Sequence, residues 1–424
     1  MKLKLDYGSD GLTVDLPGEQ TTVIEPVPVA AVANPAESLT KAIAHPIGKP
    51  PLRTLPRPGQ KIAISVCDIT RAQPRQLMLK ALFGEMPGIR REDVTIFIAT
   101  GTHRRNSPAE IEKMIGAEFA RSCRVVCHDA RDSASLVHVG NTKTGVRVLL
   151  NRGWVESGFK ITTGFVEPHF FAGFSGGPKM VAPGLAGLDT VMTLHNAERL
   201  AHPKATFGVI EGNPIHQDIR EIARMTGVDF ALDVTLNRDQ MITAAFAGDL
   251  FEEHAMACAS VRHTAMRAVN APFDVVLTTN SGYPLDQNLY QAVKGMSAAV
   301  KIVKDNGTII CAAECRDGIP NHGTYGELLT MRPSPRELLD MIMSPGFSRP
   351  DQWQAQVQAQ IQLKAKVLVK AAGVSEKQLR AAQFEPIEDI GAAVREALKA
   401  AGPKSTLCVL PQGPQTVPYL SLSG

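Results

Sequence analysis

Residues 61–103 read KIAISV, CDITRAQP, RQLMLKALFGEMPGIRRED, VTIFIAT and GTH in turn. KIAISV is a short apolar, β-branched run of strand length, and it ends in a polar loop. Pro74 stands where a first helical residue would, a position at which its missing N–H costs nothing, and it opens a helix around Leu77–Phe83. Val94–Ala99 is a second strand, and it too ends in a polar loop. Strand, loop, helix and strand are the repeating unit of an α/β protein with a largely parallel sheet.

The alternation continues outward from this stretch. Before it lie three short strand-like pieces, KLKLDYG, GLTVDLP and TTVIEP. After it, Ser107-Pro108-Ala109-Glu110 is a capping-box signature, followed by apolar runs at Arg124–Cys127, Val146–Leu150 and Phe159–Thr163. The stretch from Val166 to Gly187 is rich in Gly and Pro and reads as a long structured loop. A helix over Asp189–Ala201 carries His195, a strand pair falls near Ala231–Val234 and Met241–Ala245, and a helix covers Leu250–Met266. Asn270-Ala271-Pro272 reads as a domain joint. Beyond it come strand Asp274–Thr278, helix Leu289–Val303, strand Thr308–Ala312, a second capping signature at Ser334–Glu337, helix Gln352–Leu363, strand Lys366–Val369, helix Ile387–Ala400 and strand Thr406–Leu410. The expectation is two α/β domains, residues 1–269 and 270–424, with largely parallel sheets and a ligand crevice between them. The first would carry the Gly-rich loop, Lys179 and His195, and the second Gln291 and Lys294.

Composition narrows the function classes. The 424 residues are 44% hydrophobic and 21% charged, which excludes a disordered chain, a collagen and a coiled coil. Basic and acidic residues number 45 and 42, giving a net charge of +3 with no dense Lys/Arg block. Neither nucleic acid nor an anionic membrane is an expected partner. No apolar run reaches a membrane span, and the N-terminus lacks the apolar core of a signal peptide, so a cytoplasmic protein is expected. The seven cysteines are an odd number spread along the chain. Cys123/Cys127 and Cys311/Cys315 fall in strand-like runs, where four residues span about 13 Å, so buried thiols are expected rather than a metal site.

Chemistry is expected in loops at the carboxyl ends of parallel strands. Asp68, Thr70 and Arg71 follow the first strand, His103 the second, and His169 the strand beginning at Phe159. Each alone has an ordinary reading as a helix cap or a solvated side chain. Together they put a carboxylate, a guanidinium and two imidazoles on three strand ends. Gly173, Gly176 and Gly177 permit close backbone approach and can turn N–H groups towards an anion. The loop is not a P-loop, since Pro178 stands where Gly is required and Met180 where Ser or Thr would hold Mg²⁺; nor does it contain a G-x-G-x-x-G fingerprint. Lys179 can pair a phosphate or anchor a group covalently. In the second half, Tyr290, Gln291 and Lys294 share one helical face.

The stretches CDITRA, ATGTHR, EPHFFAGFSGGPK, the His195 helix and YPLDQNLYQAVKGM, in this order, resemble the nickel-dependent lactate racemase family of 2-hydroxyacid racemases and epimerases. The resemblance implies a nickel pincer nucleotide, pyridinium-3-thioamide-5-thiocarboxylic acid mononucleotide, loaded by dedicated cofactor-synthesis proteins. It implies that Lys179 can link to this cofactor and that His195 is the protein's one nickel ligand. Asp68, Ser175, Gly176 and Gly177 would contact the cofactor, and His103 and His169 would be an acid/base pair. Arg71 and Lys294 would clamp the substrate carboxylate, with Gln291 and Tyr290 beside them. The implied reaction is reversible hydride transfer from the α-carbon through a planar 2-oxo acid. Ala72 and Cys67 are small departures that do not touch this chemistry. Phe170, Phe171, Tyr290 and Trp353 are candidate walls, which suit a short aliphatic 2-hydroxy acid. Malate or another hydroxy acid is the alternative, with Arg104 or Arg105 as its extra cation. A non-catalytic nucleotide binder and a nicotinamide dehydrogenase are the remaining rivals.

Overall fold

In the computed structural model, which describes residues 1–320 and 323–421, the strand Ile62–Cys67 is buried along its whole length. It lies inside a six-stranded sheet whose order is Ile242–Gly248, Phe230–Leu236, Phe159–Phe165, Ile62–Cys67, Val94–Ala99 and Arg124–Cys127. Every neighbouring pair is parallel except Phe230–Leu236 with Ile242–Gly248. Strands of such a sheet are covered on both faces, which is why they read as unbroken apolar runs. Helices Pro35–Ala44 and Arg75–Gly84 cover it with Leu39, Ile43, Met78, Leu79 and Leu82, all fully buried. Burying each such side chain contributes about 1.5–3 kcal/mol. Strand order reverses between Ile62–Cys67 and Phe159–Phe165, so the loops at residues 68–74 and 166–180 both emerge at the topological switch point.

A second six-stranded sheet has the order Glu385–Pro386, Lys366–Lys370, Val303–Ala312, Phe273–Thr279, Leu407–Leu410 and Thr21–Val23, and all its pairs are parallel. The division of the chain therefore differs from a single cut after residue 269. One compact unit comprises Pro28–His195 and His202–Thr264; the other comprises Met1–Val27, Asn196–Ala201 and Ala265–Gly424. Thr21–Val23 covers an otherwise open strand edge at Leu407–Leu410, and Leu5, Val14 and Leu16 pack with Val275, Leu277 and Val394. Hydropathy marks these segments as strands but carries no information about which edge they join.

Two other expectations are corrected. The helix expected over Asp189–Ala201 is broken into Leu188–Leu194 and Ala197–Ala201, with His195 as the C-terminal cap of the first. Asn196 causes the break, because its side chain accepts the Arg199 N–H (2.9 Å) and so caps the second helix. Of the paired cysteines, Cys315 lies beyond the strand Val303–Ala312 with φ 51. The described cysteines are all free thiols.

Helix Gln352–Lys364 buries Gln354, Gln356 and Gln358 completely. Their amide nitrogens donate to the carbonyls of Tyr290 (2.5 Å), Ala197 (2.8 Å) and Ala382 (2.8 Å). Among the described residues no helix is long and apolar enough to cross a membrane.

Candidate active site

The loop after Ile62–Cys67 is built around two side chains. Asp68 is buried, and its Oδ1 accepts from the Thr70 N–H (3.3 Å) and hydroxyl (2.7 Å), closing an Asx turn. Its Oδ2 lies 2.7 Å from His103 Nδ1. Burial pushes the Asp68 carboxyl up, but the His103 bond and the charges of His103 and Arg71 outweigh it and bring it down to about 2. The sequence reading placed Asp68 against a cofactor and contained no partnership with His103.

The second organising residue is Arg75. Its buried guanidinium donates to the carbonyls of Cys67 (2.7 Å), Gln73 (3.1 Å), Arg71 (2.9 Å) and Asp68. Gln73 ties the same loop sideways, accepting from the Cys67 N–H (2.7 Å) and donating to Thr163 Oγ1 on the neighbouring strand (2.8 Å). The backbone carrying Asp68 and Arg71 is thus fixed from behind.

The loop after Phe159–Phe165 doubles back on itself, pairing Pro168 with Phe174 and His169 with Gly173. At its tip the Ala172 N–H donates to His169 Nδ1 (3.2 Å). The Phe171 ring centroid lies 4.5 Å from that of His169, 5.0 Å from that of His195 and 5.9 Å from Lys179 Nζ. Four groups hold this loop's backbone from beneath. Asn213 donates to the Phe171 carbonyl (2.9 Å), His216 Nδ1 to that of Ala172 (3.1 Å) and His254 Nε2 to that of Ser175 (2.8 Å), while Asp233 accepts the Gly177 N–H (2.6 Å). Gly176 and Gly177 have φ of 70 and 51. A Cβ on Gly176 would lie 2.8 Å from Asp233 Oδ2, and one on Gly177 would strike the His254 ring. The Ser175 hydroxyl shapes the same turn, donating to the Phe165 carbonyl (3.0 Å) and accepting the Glu167 N–H (2.9 Å).

These supports are electrically quiet. Burial holds His216 down to about 3 and His254 down to about 4, so both are neutral donors. Burial likewise lifts Asp233 to about 7, against the opposing bonds from Gly177 and Gly164, and raises Glu253 well above the usual carboxyl range. None of Arg75, Asn213, His216, Asp233 or His254 was singled out from sequence. Only Asn213 carries a local signal, the Asn-Pro that caps helix Pro214–Thr226.

His195 is buried with Nδ1 2.8 Å from the Val191 carbonyl, and a carbonyl can only accept. Nδ1 therefore bears the proton and Nε2 the lone pair. Burial, opposed by that bond and reinforced by the Lys179 charge, holds the imidazole down to about 4, in the neutral form that binds metals. Among the described residues no group of three or more His, Cys, Asp or Glu side chains could hold a metal ion.

Tyr290, Gln291 and Lys294 belong to the other compact unit, at the start of helix Leu289–Ala299. Asn288 caps this helix by accepting the Gln291 N–H (3.0 Å). Tyr290 Oη accepts from Trp353 Nε1 (2.9 Å), joining the two candidate wall residues, while Lys294 is half-buried. Arg104 is committed elsewhere, forking onto both oxygens of Glu110 (2.8 and 2.6 Å). Asp68 with His103, and His169 with Lys179 and His195 around Phe171, are thus the groupings formed within one unit.

Comparison with known proteins agrees along most of the chain. The family model of the lactate racemase N-terminal domain matches residues 7–208, and that of the lactate racemase C-terminal domain matches residues 268–417. A lactate racemase of Thermoanaerobacterium thermosaccharolyticum is 34% identical over 418 residues, covering 97% of each chain. One of Lactiplantibacillus plantarum is 34% identical over 381 residues, 89% of each chain. The lactate racemase apoprotein structure from T. thermosaccharolyticum superposes with a TM-score of 0.91 at 34% identity, covering 99% of this chain and 100% of that one. A Thermotoga maritima protein of 18% identity shares the fold, with a TM-score of 0.69 over 91% of this chain and 97% of its own. With both domain models matched in order and relatives aligned nearly end to end, the chain belongs to the lactate racemase family.

Proposed function

We propose that this racemase interconverts the enantiomers of a short aliphatic 2-hydroxy acid, lactate first among them, using a nickel pincer nucleotide. The observation that carries the reading is the gathering of His169, His195 and Lys179 around the single ring of Phe171. The residues fit such a cofactor. His195 offers one neutral imidazole lone pair, a donor that nickel accepts. Lys179 offers an amine for pairing or linkage, beside the Phe171 ring. When bound, the cofactor supplies an acceptor for the α-hydrogen and its electron pair. Its loading by cofactor-synthesis proteins, and a cytoplasmic setting, belong to the same proposal.

The chain's own residues do the rest. Arg71 is assigned the substrate carboxylate as a planar bidentate partner, and Lys294, Gln291 and Tyr290 are assigned to the same substrate by the resemblance. His103 and His169 handle the hydroxyl proton, each imidazole accelerating its step by about 10²–10⁴-fold. Arg104 is already paired with Glu110, so the second carboxylate of malate would need Arg105 or, if buried unpaired, would cost several kcal/mol. A buried methyl gains about 0.8 kcal/mol.

The test is protein produced with the cofactor-synthesis proteins, assayed for metal, intact mass and turnover of single enantiomers by chiral chromatography. Racemisation of lactate by nickel-containing protein, with nickel lost in His195→Ala, is the expected result. Full activity without nickel defeats the cofactor assignment, and a higher kcat/KM on malate than on lactate defeats the substrate assignment.

A further inference from the structure

We propose that His103 and His169 are held in opposite tautomers and so enter the reaction in different roles. His103 presents a lone pair at Nε2, and His169 presents a proton at Nε2. Asp68 and the Ala172 amide are the positioning groups. The roles rest on the racemase reading above, whereas the tautomers rest only on hydrogen bonds within one compact unit.

A backbone amide can only donate, so His169 Nδ1, 3.2 Å from the Ala172 nitrogen, carries a lone pair. A neutral imidazole has one N–H, which then lies on Nε2. The contact is built into the loop. Ala172 precedes the Gly173 that pairs with His169, its carbonyl is held by His216 (3.1 Å), and the rings of Phe170 and Phe171 flank the imidazole at 4.9 and 4.5 Å. At His103 the partner is a carboxylate. Asp68 Oδ1 is occupied by Thr70 and Oδ2 lies 2.7 Å from Nδ1. An ionised carboxylate can only accept, so Nδ1 carries the proton and Nε2 the lone pair.

The consequence is an asymmetric proton path. A hydroxyl facing His103 gives its proton to Nε2, and the resulting imidazolium is balanced by Asp68. The cofactor, when bound, would supply the acceptor for the α-hydrogen with its electron pair, and loss of both would leave the substrate as the 2-oxo acid. His169 meets the substrate oxygen as a hydrogen-bond donor. To release its Nε2 proton to the returning alkoxide without becoming an imidazolate, His169 must first give up the Ala172 bond and take a proton at Nδ1. Each full inversion in this direction therefore moves one proton from substrate to His103 and one from His169 to product. Loss of the His103 proton to the solvent that supplied His169, and movement of the remaining His169 proton from Nδ1 back to Nε2, restore the resting pair. Either half-reaction alone lacks that return step.

The test uses the full chain labelled with ¹⁵N-histidine, without cofactor, at a pH of about 8.5, where exposed imidazoles are neutral. Long-range ¹H–¹⁵N correlations show which ring nitrogen is protonated, and His103→Gln and His169→Gln assign the two signals. The expected pattern is Nδ1–H at His103 and Nε2–H at His169. The same tautomer at both, or the reverse, overturns the proposal. Asp68→Asn should move His103 towards Nε2–H and lower racemisation about 10⁴-fold, the scale seen when an orienting aspartate is replaced in serine proteases. Because the equilibrium constant of a racemisation is one, kcat/KM must fall equally in both directions. In single turnover with loaded enzyme, only the enantiomer that faces His103 should lose its first half-reaction. Equal loss for both enantiomers would defeat the asymmetry. If no 2-hydroxy acid turns over while the tautomers are as stated, the racemase reading fails and the tautomer assignment stands.

Discussion

The loops at residues 67–75 and 166–180 leave adjacent strands at the same switch point, and each is held from beneath by side chains that grip its backbone. The grips differ in charge. The first is a single buried cation, Arg75, shared among the carbonyls of Cys67, Asp68, Arg71 and Gln73. The second contains no cation, being made of Asn213, His216 and His254 as donors, with Asp233 lifted to about 7. The neighbours explain the contrast. Burial lowers the Arg75 guanidinium below its usual range, and the charge of Asp68 beside it opposes that shift. The second loop carries Lys179, whose charge acts against protonation of His195, His216 and His254.

Breaking the cationic grip should have the largest effect. Arg75→Leu leaves several buried carbonyls without donors and should cost about 3–5 kcal/mol in urea unfolding. Arg75→Lys, which keeps the charge but not the fork, should fall between the two. A loss below 1 kcal/mol for Arg75→Leu would show that the loop holds itself.

In the second loop the comparison turns on space. Gly177→Ala places a methyl on the His254 ring at a φ of 51 and should cost about 2–4 kcal/mol. Gly59 also has positive φ (79) but nothing within 4 Å, so Gly59→Ala should cost only about 1 kcal/mol by the same measurement. Equal losses would mean that backbone strain alone, and not the His254 contact, decides the matter.

The smallest effect sharpens the electrical contrast. His216 has its pKa lowered to about 3 from 6.5, so the unfolded chain binds a proton that the folded one refuses. Its contribution is present above pH 6.5 and is lost as the pH falls towards 3. The stability gap between wild type and His216→Gln should therefore shrink by about 2 kcal/mol between pH 7.5 and pH 5. Asp233 runs the other way, its contribution being present below pH 3.8 and lost as the pH rises through about 7. A gap that does not change with pH would mean His216 is charged in the fold.

Much of the fold was legible from the chain. Val94–Ala99 and Arg124–Cys127 have the bounds read from sequence, and Lys366–Lys370 is one residue longer than expected. Strands buried on both faces are continuous apolar runs with abrupt polar ends, which composition reveals. The motif loops were legible for a related reason. They sit directly after such strands, where polar residues interrupt the pattern. His195 was found but misplaced within a helix, although Asn196 was the available signal for the break.

What the sequence by itself determined is most of the inventory: nearly all strands of both sheets, several of the helices though not Pro35–Ala44 or Pro214–Thr226, which loops carry Asp68, Arg71, His103, His169, Lys179 and His195, and the family they resemble. Periodicity and turn chemistry are local, and local order suffices for those readings. Only the tertiary structure decided the partnerships. Asp68 meets His103 across 35 residues, and Gly177 meets Asp233 across 56. Thr21–Val23 closes a sheet whose other strands all lie beyond residue 272. Such pairings depend on strand order, and strand order is set by how whole apolar faces are covered, an energy summed over the fold and written in no single stretch of sequence.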